Sequence, residues 1–159
     1  MGGKNPFIKK LQMVFDEGLY DPANEPDIAY AHLFSYFRGE EWRTQKETQR
    51  LLDKYFTTKP NGIPGNDDTG TMSAWAIFNM IGFYPDCPGL PEYTLTTPVF
   101  NKVTIRLDPK WYKEKELVIE SNRTQPGTLY INKVLLNGKK FNQYRICLLY
   151  TSDAADDLI

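Results

Sequence analysis

The hydrophobic period of this chain changes once, across a stretch that suits neither a helix nor a strand. Pro85, Cys87, Pro88, Gly89 and Pro91 crowd into a short connector of ring-locked or breaker residues. Before it, apolar residues recur every three or four positions, the period of a helix. After it they alternate, the period of a strand. That switch restricts the chain to an α+β architecture with its helices first and its strands second.

The helical part resolves into four segments. Asn5 suits an N-cap and Pro6 the first helical position, after which Phe7, Ile8, Leu11, Val14 and Phe15 fall on one face and Gly18 is a natural stop. A loop over 19–25 ends at Pro26, which can open a second helix. Ile28, Tyr30, Ala31, Leu33, Phe34 and Phe37 make that helix apolar on more than one side and predict its burial. The third is expected over 41–56, with Trp42, Leu51, Leu52 and Tyr55 inward and Arg43, Lys46, Glu47, Arg50 and Lys54 in solvent. Residues 57–70 hold Gly62, Gly65, Gly70, Pro60 and Pro64 and are expected to form a structured loop. The fourth helix, 71–81, presents Met72, Trp75, Ala76, Phe78 and Met80, and Gly82 caps it.

Strands are expected over 93–97, 102–107, 116–119 and 129–131. Asn137-Gly138 between two short apolar runs marks a hairpin, because both residues readily take the positive φ of a type I′ turn. The division is therefore 1–89 helical and 90–146 β. Neither part closes on itself, since the helices are apolar on broad faces and the strands stop in mid-sheet. A piece of a larger enzyme fits this pattern better than an autonomous domain.

The last thirteen residues, 147–159, resemble the translated sequence of a transposase-type sequencing adaptor, and are expected to be foreign to the gene. The chain has 19 basic and 20 acidic side chains and a net charge of -1. Without Asp153, Asp156 and Asp157 the net charge becomes +2. Either balance gives no general attraction for nucleic acid or an anionic membrane. No apolar run approaches the roughly 18–20 residues that span a bilayer. Cys87 and Cys147 are in no metal-binding spacing.

Two segments could carry chemistry. In the first, Gly62 to Trp75, Asn66, Asp67 and Asp68 sit between glycines directly before a helix. Glycine permits close approach of backbone to ligand, and an aspartate held and oriented toward a water can act as a general base. Simple helix capping by Asp68 or Thr69 explains the same residues. In the second, Asn24 and Glu25 offer hard oxygen donors at the mouth of a helix, suited to Ca²⁺ more than to zinc, while Asp27 in its first turn complements the helix dipole. Capping again explains them equally. His32 alone in mid-helix reads as a packed or surface residue, and the aromatics, 14% of the chain, suit either a filled core or a sugar site.

Taken together, the segments resemble the glycoside hydrolase family 92 α-mannosidases. The resemblance rests on Met1-Gly2-Gly3, Asn24-Glu25-Pro26, Trp42-Arg43-Thr44-Gln45, the string Gly65-Asn66-Asp67-Asp68-Thr69-Gly70-Thr71-Met72-Ser73-Ala74-Trp75, Gly82-Phe83-Tyr84-Pro85 and Cys87-Pro88-Gly89. It implies a Ca²⁺-dependent, inverting exo-α-mannosidase acting on mannose-containing glycans. The helices would be the last of an (α/α)6 barrel, followed by strands of an incomplete β domain. It further implies that Asp68 is the general base, that Asp67 with Asn66 orients the water or binds the sugar, and that Gly65 and Asp27 also line the sugar. Asn24 and Glu25 would be Ca²⁺ ligands. The general acid would be a Glu upstream of the Met-Gly-Gly match, in a missing N-terminal part of the same enzyme, which leaves this fragment inactive alone. The parent would act outside the cytosol. Many members continue Asn-Glu-Pro with Ser-His-His where this chain has Asp27-Ile28-Ala29, which bears on its linkage preference. A non-catalytic carbohydrate-binding fragment and another (α/α)-barrel hydrolase or phosphorylase are the alternatives. Asn122-Arg123-Thr124 is a glycosylation sequon.

Overall fold

The computed structural model describes residues 2–123, 125 and 127–147. Apart from Cys147, the adaptor-like tail lies outside the described residues, as do Met1 of the Met-Gly-Gly match and Thr124 of the sequon. The chain forms two compact units. The first comprises Met1–Ile77 with Leu129–Ile131, and the second Phe78–Thr128 with Asn132–Ile159.

The first unit is helical: α1 (Lys4–Asp16), a 3₁₀ helix (Glu25–Tyr36), α2 (Glu41–Tyr55) and the start of α3 (Thr71–Ile81). Ile8, Leu11 and Phe15 of α1 are buried with Ala31 and Phe34 of the 3₁₀ helix, Leu51 and Leu52 of α2, and Met72 and Trp75 of α3. Phe15 stacks on Tyr20 at 5.3 Å and tilts against Phe34 at 5.9 Å, so one aromatic cluster joins α1, the following loop and the 3₁₀ helix.

Three expectations fail here. The second helix is 3₁₀ for twelve residues, a length this tighter geometry rarely reaches. Ala31, His32, Phe34 and Ser35 are all buried along it, and Ile28 spends its carbonyl on the Trp75 indole N–H at 3.1 Å. Tertiary contacts on several sides, rather than one amphipathic stripe, therefore set its winding. Glu47, assigned above to solvent, is wholly buried. It accepts from Gln12 Nε2 at 2.9 Å and pairs with Arg50 at 3.2 Å and Lys46 at 3.6 Å. The long cations lie over the carboxylate with their own heads partly in water. Trp42, expected inward, is 39% exposed, with the Arg43 guanidinium 4.5 Å from its ring.

Among its described residues the second unit carries three small antiparallel sheets. β1 (Phe83–Tyr84), β2 (Glu92–Leu95) and β7 (Arg145–Cys147) form one in the order β1-β2-β7. β3 (Lys102–Arg106) pairs β4 (Glu116–Glu120), and β5 (Val134–Leu136) pairs β6 (Lys139–Phe141). Asn137 and Gly138 take φ of 49° and 80° in the β5–β6 turn, the conformation read from their sequence. Residues 129–131 are not a strand. The Ile131 N–H donates to Gln45 Oε1 at 2.9 Å and the Tyr130 ring meets Trp42 edge-on at 6.1 Å, which places the segment in the helical unit. Arg145 reaches Asp86 and Glu92, both at 3.2 Å, while Asp86 accepts from Thr94 Oγ1 at 2.7 Å. The Arg123 guanidinium is held by the carbonyl of Pro98. Cys147, within the expected tail, pairs in register with Glu92.

Candidate functional site

The two segments singled out in the sequence meet. Gly65 has φ +67°, and a Cβ built there would lie 2.6 Å from Ala23 Cβ. The loop bearing Asn66, Asp67 and Asp68 therefore packs against the loop bearing Asn24 and Glu25 at a point where only a glycine fits. Behind this contact the Trp75–Ile28 hydrogen bond ties α3 to the 3₁₀ helix. Trp75 is buried between Phe56, stacked at 5.5 Å, and the edge of His32 at 6.0 Å. His32 is wholly buried, so it is a packed residue.

Gly62 makes the first loop compact. Its carbonyl accepts from the Thr57 N–H and its own N–H donates to Lys59, both at 2.9 Å. A Cβ there would collide with the Thr57 carbonyl oxygen. The loop then passes through three successive left-handed residues, Asp68 (φ 45°), Thr69 (φ 59°) and Gly70 (φ 93°). Such conformations cost of order 1–3 kcal/mol for non-glycine residues and concentrate at functional sites.

The hydrogen bonds at the start of α3 separate the two aspartates. The Thr71 N–H donates to the Asp68 carbonyl at 3.2 Å, and the Met72 N–H to the Asp67 carbonyl at 3.2 Å. The Ser73 N–H donates to the Asp67 carboxylate at 2.8 Å. The Ala74 N–H takes the Gly70 carbonyl at 2.8 Å. With the Gly70 N–H on the Asp67 carbonyl at 3.1 Å, the four amides that this helix start leaves open, those of residues 70–73, are satisfied. None uses the Asp68 carboxylate, which is exposed and accepts no hydrogen bond among the described residues. Capping, the ordinary explanation for an acid at this place, applies to Asp67 and not to Asp68.

The second loop is held from the helix side. Asp27 is buried, and its Oδ2 accepts from the Asp21 N–H at 2.9 Å. Asn24 supplies its carbonyl to the Asp27 N–H at 2.9 Å. The Asn24 side chain caps nothing, and both it and Glu25 are exposed. Their oxygens suit a hard cation, but Ca²⁺ takes six to eight ligands. No group of three His, Cys, Asp or Glu side chains among the described residues could hold a metal ion. Asn24 and Glu25 by themselves are too few for such a sphere. A groove of about 790 Å³ along α1, lined by Ile8, Gln12, Met13, Asp16, Glu40 and Arg43, includes none of these residues.

Sequence reasoning placed the seven candidate residues in two segments, each a loop running into a helix, and those loops adjoin. It did not foresee Ala23, whose small side chain sets the approach at Gly65, nor that Asp27 and Asp67 each spend a carboxylate oxygen on a backbone amide.

Residues 1–154 match the model of the glycosyl hydrolase family 92 catalytic domain. A structure of a family GH92 α-mannosidase from Bacteroides thetaiotaomicron superimposes with a TM-score of 0.82 at 32% identity, covering 91% of this chain and 20% of that one. The same enzyme has been solved in complex with mannoimidazole. A family GH92 inverting mannosidase of the same species gives a TM-score of 0.70 at 34% identity over 88% of this chain and 18% of its own. An uncharacterized secreted glycosidase of Arthroderma benhamiae is 28% identical over 143 residues, 90% of this chain and 18% of that protein. The chain thus spans about a fifth of the length of these relatives.

Proposed function

The chain belongs to glycosyl hydrolase family 92, and from that premise we propose that it is part of a Ca²⁺-dependent, inverting exo-α-mannosidase that removes terminal α-mannose from glycans. Its helices are the last of an (α/α)6 barrel, and its strands belong to the β structure that follows. The family is one of glycoside hydrolases, and its solved members similar to this chain are α-mannosidases.

Inversion needs two carboxyl groups on opposite faces of the scissile bond, roughly 6.5–9.5 Å apart, so that a water fits beneath the anomeric carbon. One protonates the leaving oxygen and the other takes a proton from the water. Asp68 is the base in this reading. The observation that carries it is the accounting at the start of α3: the open amides are satisfied without the Asp68 carboxylate, so that group is left to accept a proton. The left-handed backbone at Asp68 and Thr69 holds it at the tip of the loop. Asn66 and Gly65 line the sugar beside it. Asp67 adjoins Asp68 in sequence and cannot supply the opposite face, so the acid is a carboxyl group from another part of the enzyme.

Asn24 and Glu25 furnish oxygen ligands to Ca²⁺. When bound, that ion would polarise and hold vicinal sugar hydroxyls. The test is Asp68→Asn in the full-length enzyme. Loss of a general base is expected to lower kcat about 10²–10⁴-fold with an unchanged circular dichroism spectrum. A near-normal kcat would take Asp68 out of the mechanism.

A further inference from the structure

Asp27 and Asp67 tie loop to helix from opposite sides: Asp27, in the first turn of the 3₁₀ helix, reaches back to the loop before it, and Asp67, in the loop, reaches forward into α3. Each is an acid whose carboxylate accepts from a backbone amide six residues away: Asp27 Oδ2 from the Asp21 N–H at 2.9 Å, Asp67 Oδ1 from the Ser73 N–H at 2.8 Å. Each closes one of the two loops that meet at Ala23 and Gly65. Each also stands beside the exposed groups of its loop, Asp27 near Asn24 and Glu25, and Asp67 next to Asp68.

We propose that Asp27 and Asp67 are paired positioning residues, which act through the backbone they clamp and not through contact with sugar or water. The inference rests on the reading of Asp68 as base and of Asn24 and Glu25 as metal ligands. Asp67 gathers the start of α3 with both its side chain and its backbone. Its carboxylate holds Ser73, while its carbonyl accepts from Gly70 at 3.1 Å and Met72 at 3.2 Å. Those bonds span the left-handed run at Asp68, Thr69 and Gly70, a conformation that only surrounding structure can enforce on an aspartate and a β-branched residue. Asp27 closes the turn 21–27, whose second bond is Asn24 N–H to the Asp21 carbonyl at 3.1 Å. Because the loops touch where no Cβ can be admitted, slack in either loop displaces the other.

A clamp of this kind needs an acceptor oxygen but no charge, and asparagine keeps the oxygen. In the full-length enzyme, Asp67→Ala is expected to lower kcat about 100-fold with little change in KM, since displacement of a reacting group by about 1 Å costs that much. Asp27→Ala is expected to raise KM instead. In each case the Asn variant should recover most of what the Ala variant loses. Hydrogen exchange supplies a readout independent of turnover. The Ser73 amide should exchange faster in Asp67→Ala and the Asp21 amide faster in Asp27→Ala, with near-wild-type rates in the Asn variants. If the Asn variants are as impaired as the Ala variants while their amides stay protected, the carboxylate charges act in chemistry or binding and the proposal is overturned. Protected amides in the Ala variants overturn it as well. Failure of the catalytic reading shows separately, as activity surviving Asp68→Asn, and leaves the exchange result interpretable.

Discussion

Thr69 shows how one residue can work against local preference. It is β-branched, exposed, and held at φ 59° between Asp68 and Gly70. A branched side chain in the left-handed region crowds its own backbone, which costs about 1–2 kcal/mol. Glycine removes that crowding but adds about 0.5–1 kcal/mol of unfolded-state entropy. Thr69→Gly should therefore stabilise the chain by about 0.5–1 kcal/mol, read as a higher urea midpoint at unchanged m-value. A fall in the midpoint would mean that the Thr69 side chain contributes contacts that outweigh the crowding. The opposite sign applies to Tyr84, where burial, then the neighbouring Asp86 charge, pushes the phenol above its ordinary 10.0. A raised folded-state value favours the neutral form. Its stabilisation is complete below about pH 10 and is lost as pH rises through the folded value. Tyr93 is raised by burial and Lys102 by its hydrogen bond to Glu120, so both act in the same direction. Tyr84→Phe should flatten the alkaline fall of stability, measured by denaturant titration between pH 9 and 11; an unchanged slope would remove Tyr84 as a contributor.

At the scale of the element, α3 is the clearest case of a sequence that announces its structure. The expected span 71–81 is the observed Thr71–Ile81, because a glycine-rich loop precedes it, Gly82 follows it, and the residues between share one period. The Asn137-Gly138 turn is equally plain, since few residues take positive φ in succession. The 3₁₀ helix is not legible. Its apolar residues fit an α-helical reading, and the preference for a tighter winding comes from partners distant in sequence, Trp75 among them. α2 misleads for a related reason. Glu47 carries a charge and falls among Lys46 and Arg50, yet its burial depends on Gln12, thirty-five positions away. Replacing a buried acceptor that satisfies a charged network should be felt. Glu47→Ala is expected to cost about 2 kcal/mol. Glu47→Gln keeps the shape and the acceptor, and Arg50 and Lys46 can turn to water, so it should cost under about 1 kcal/mol. Equal losses in the two variants would show that the ion pairs, and not packing and the Gln12 contact, hold Glu47 in place.

At the scale of the whole molecule, the candidate site divides into what one short chain can supply and what it cannot. The two loops, their contact at Gly65 and the free carboxylate of Asp68 all lie within the helical unit. They were legible in sequence as loops, because glycine, asparagine and aspartate cluster there, but which acid caps the helix was not, since a capping aspartate and one left open look alike until the amides are counted. The proposed inversion would also demand a second carboxyl group across the sugar, and Asp67 adjoins the proposed base and is committed to Ser73. A metal sphere of six to eight oxygens likewise exceeds Asn24 and Glu25. The 159-residue chain by itself is accordingly expected to show no turnover of an aryl α-mannoside, with or without added Ca²⁺, whereas the full-length enzyme should lose its activity on chelation and regain it with Ca²⁺. Calcium-dependent hydrolysis by the purified short chain would mean that a second carboxyl group within it reaches the far face of the sugar, and the division of acid and base between this chain and the rest of the enzyme would be wrong.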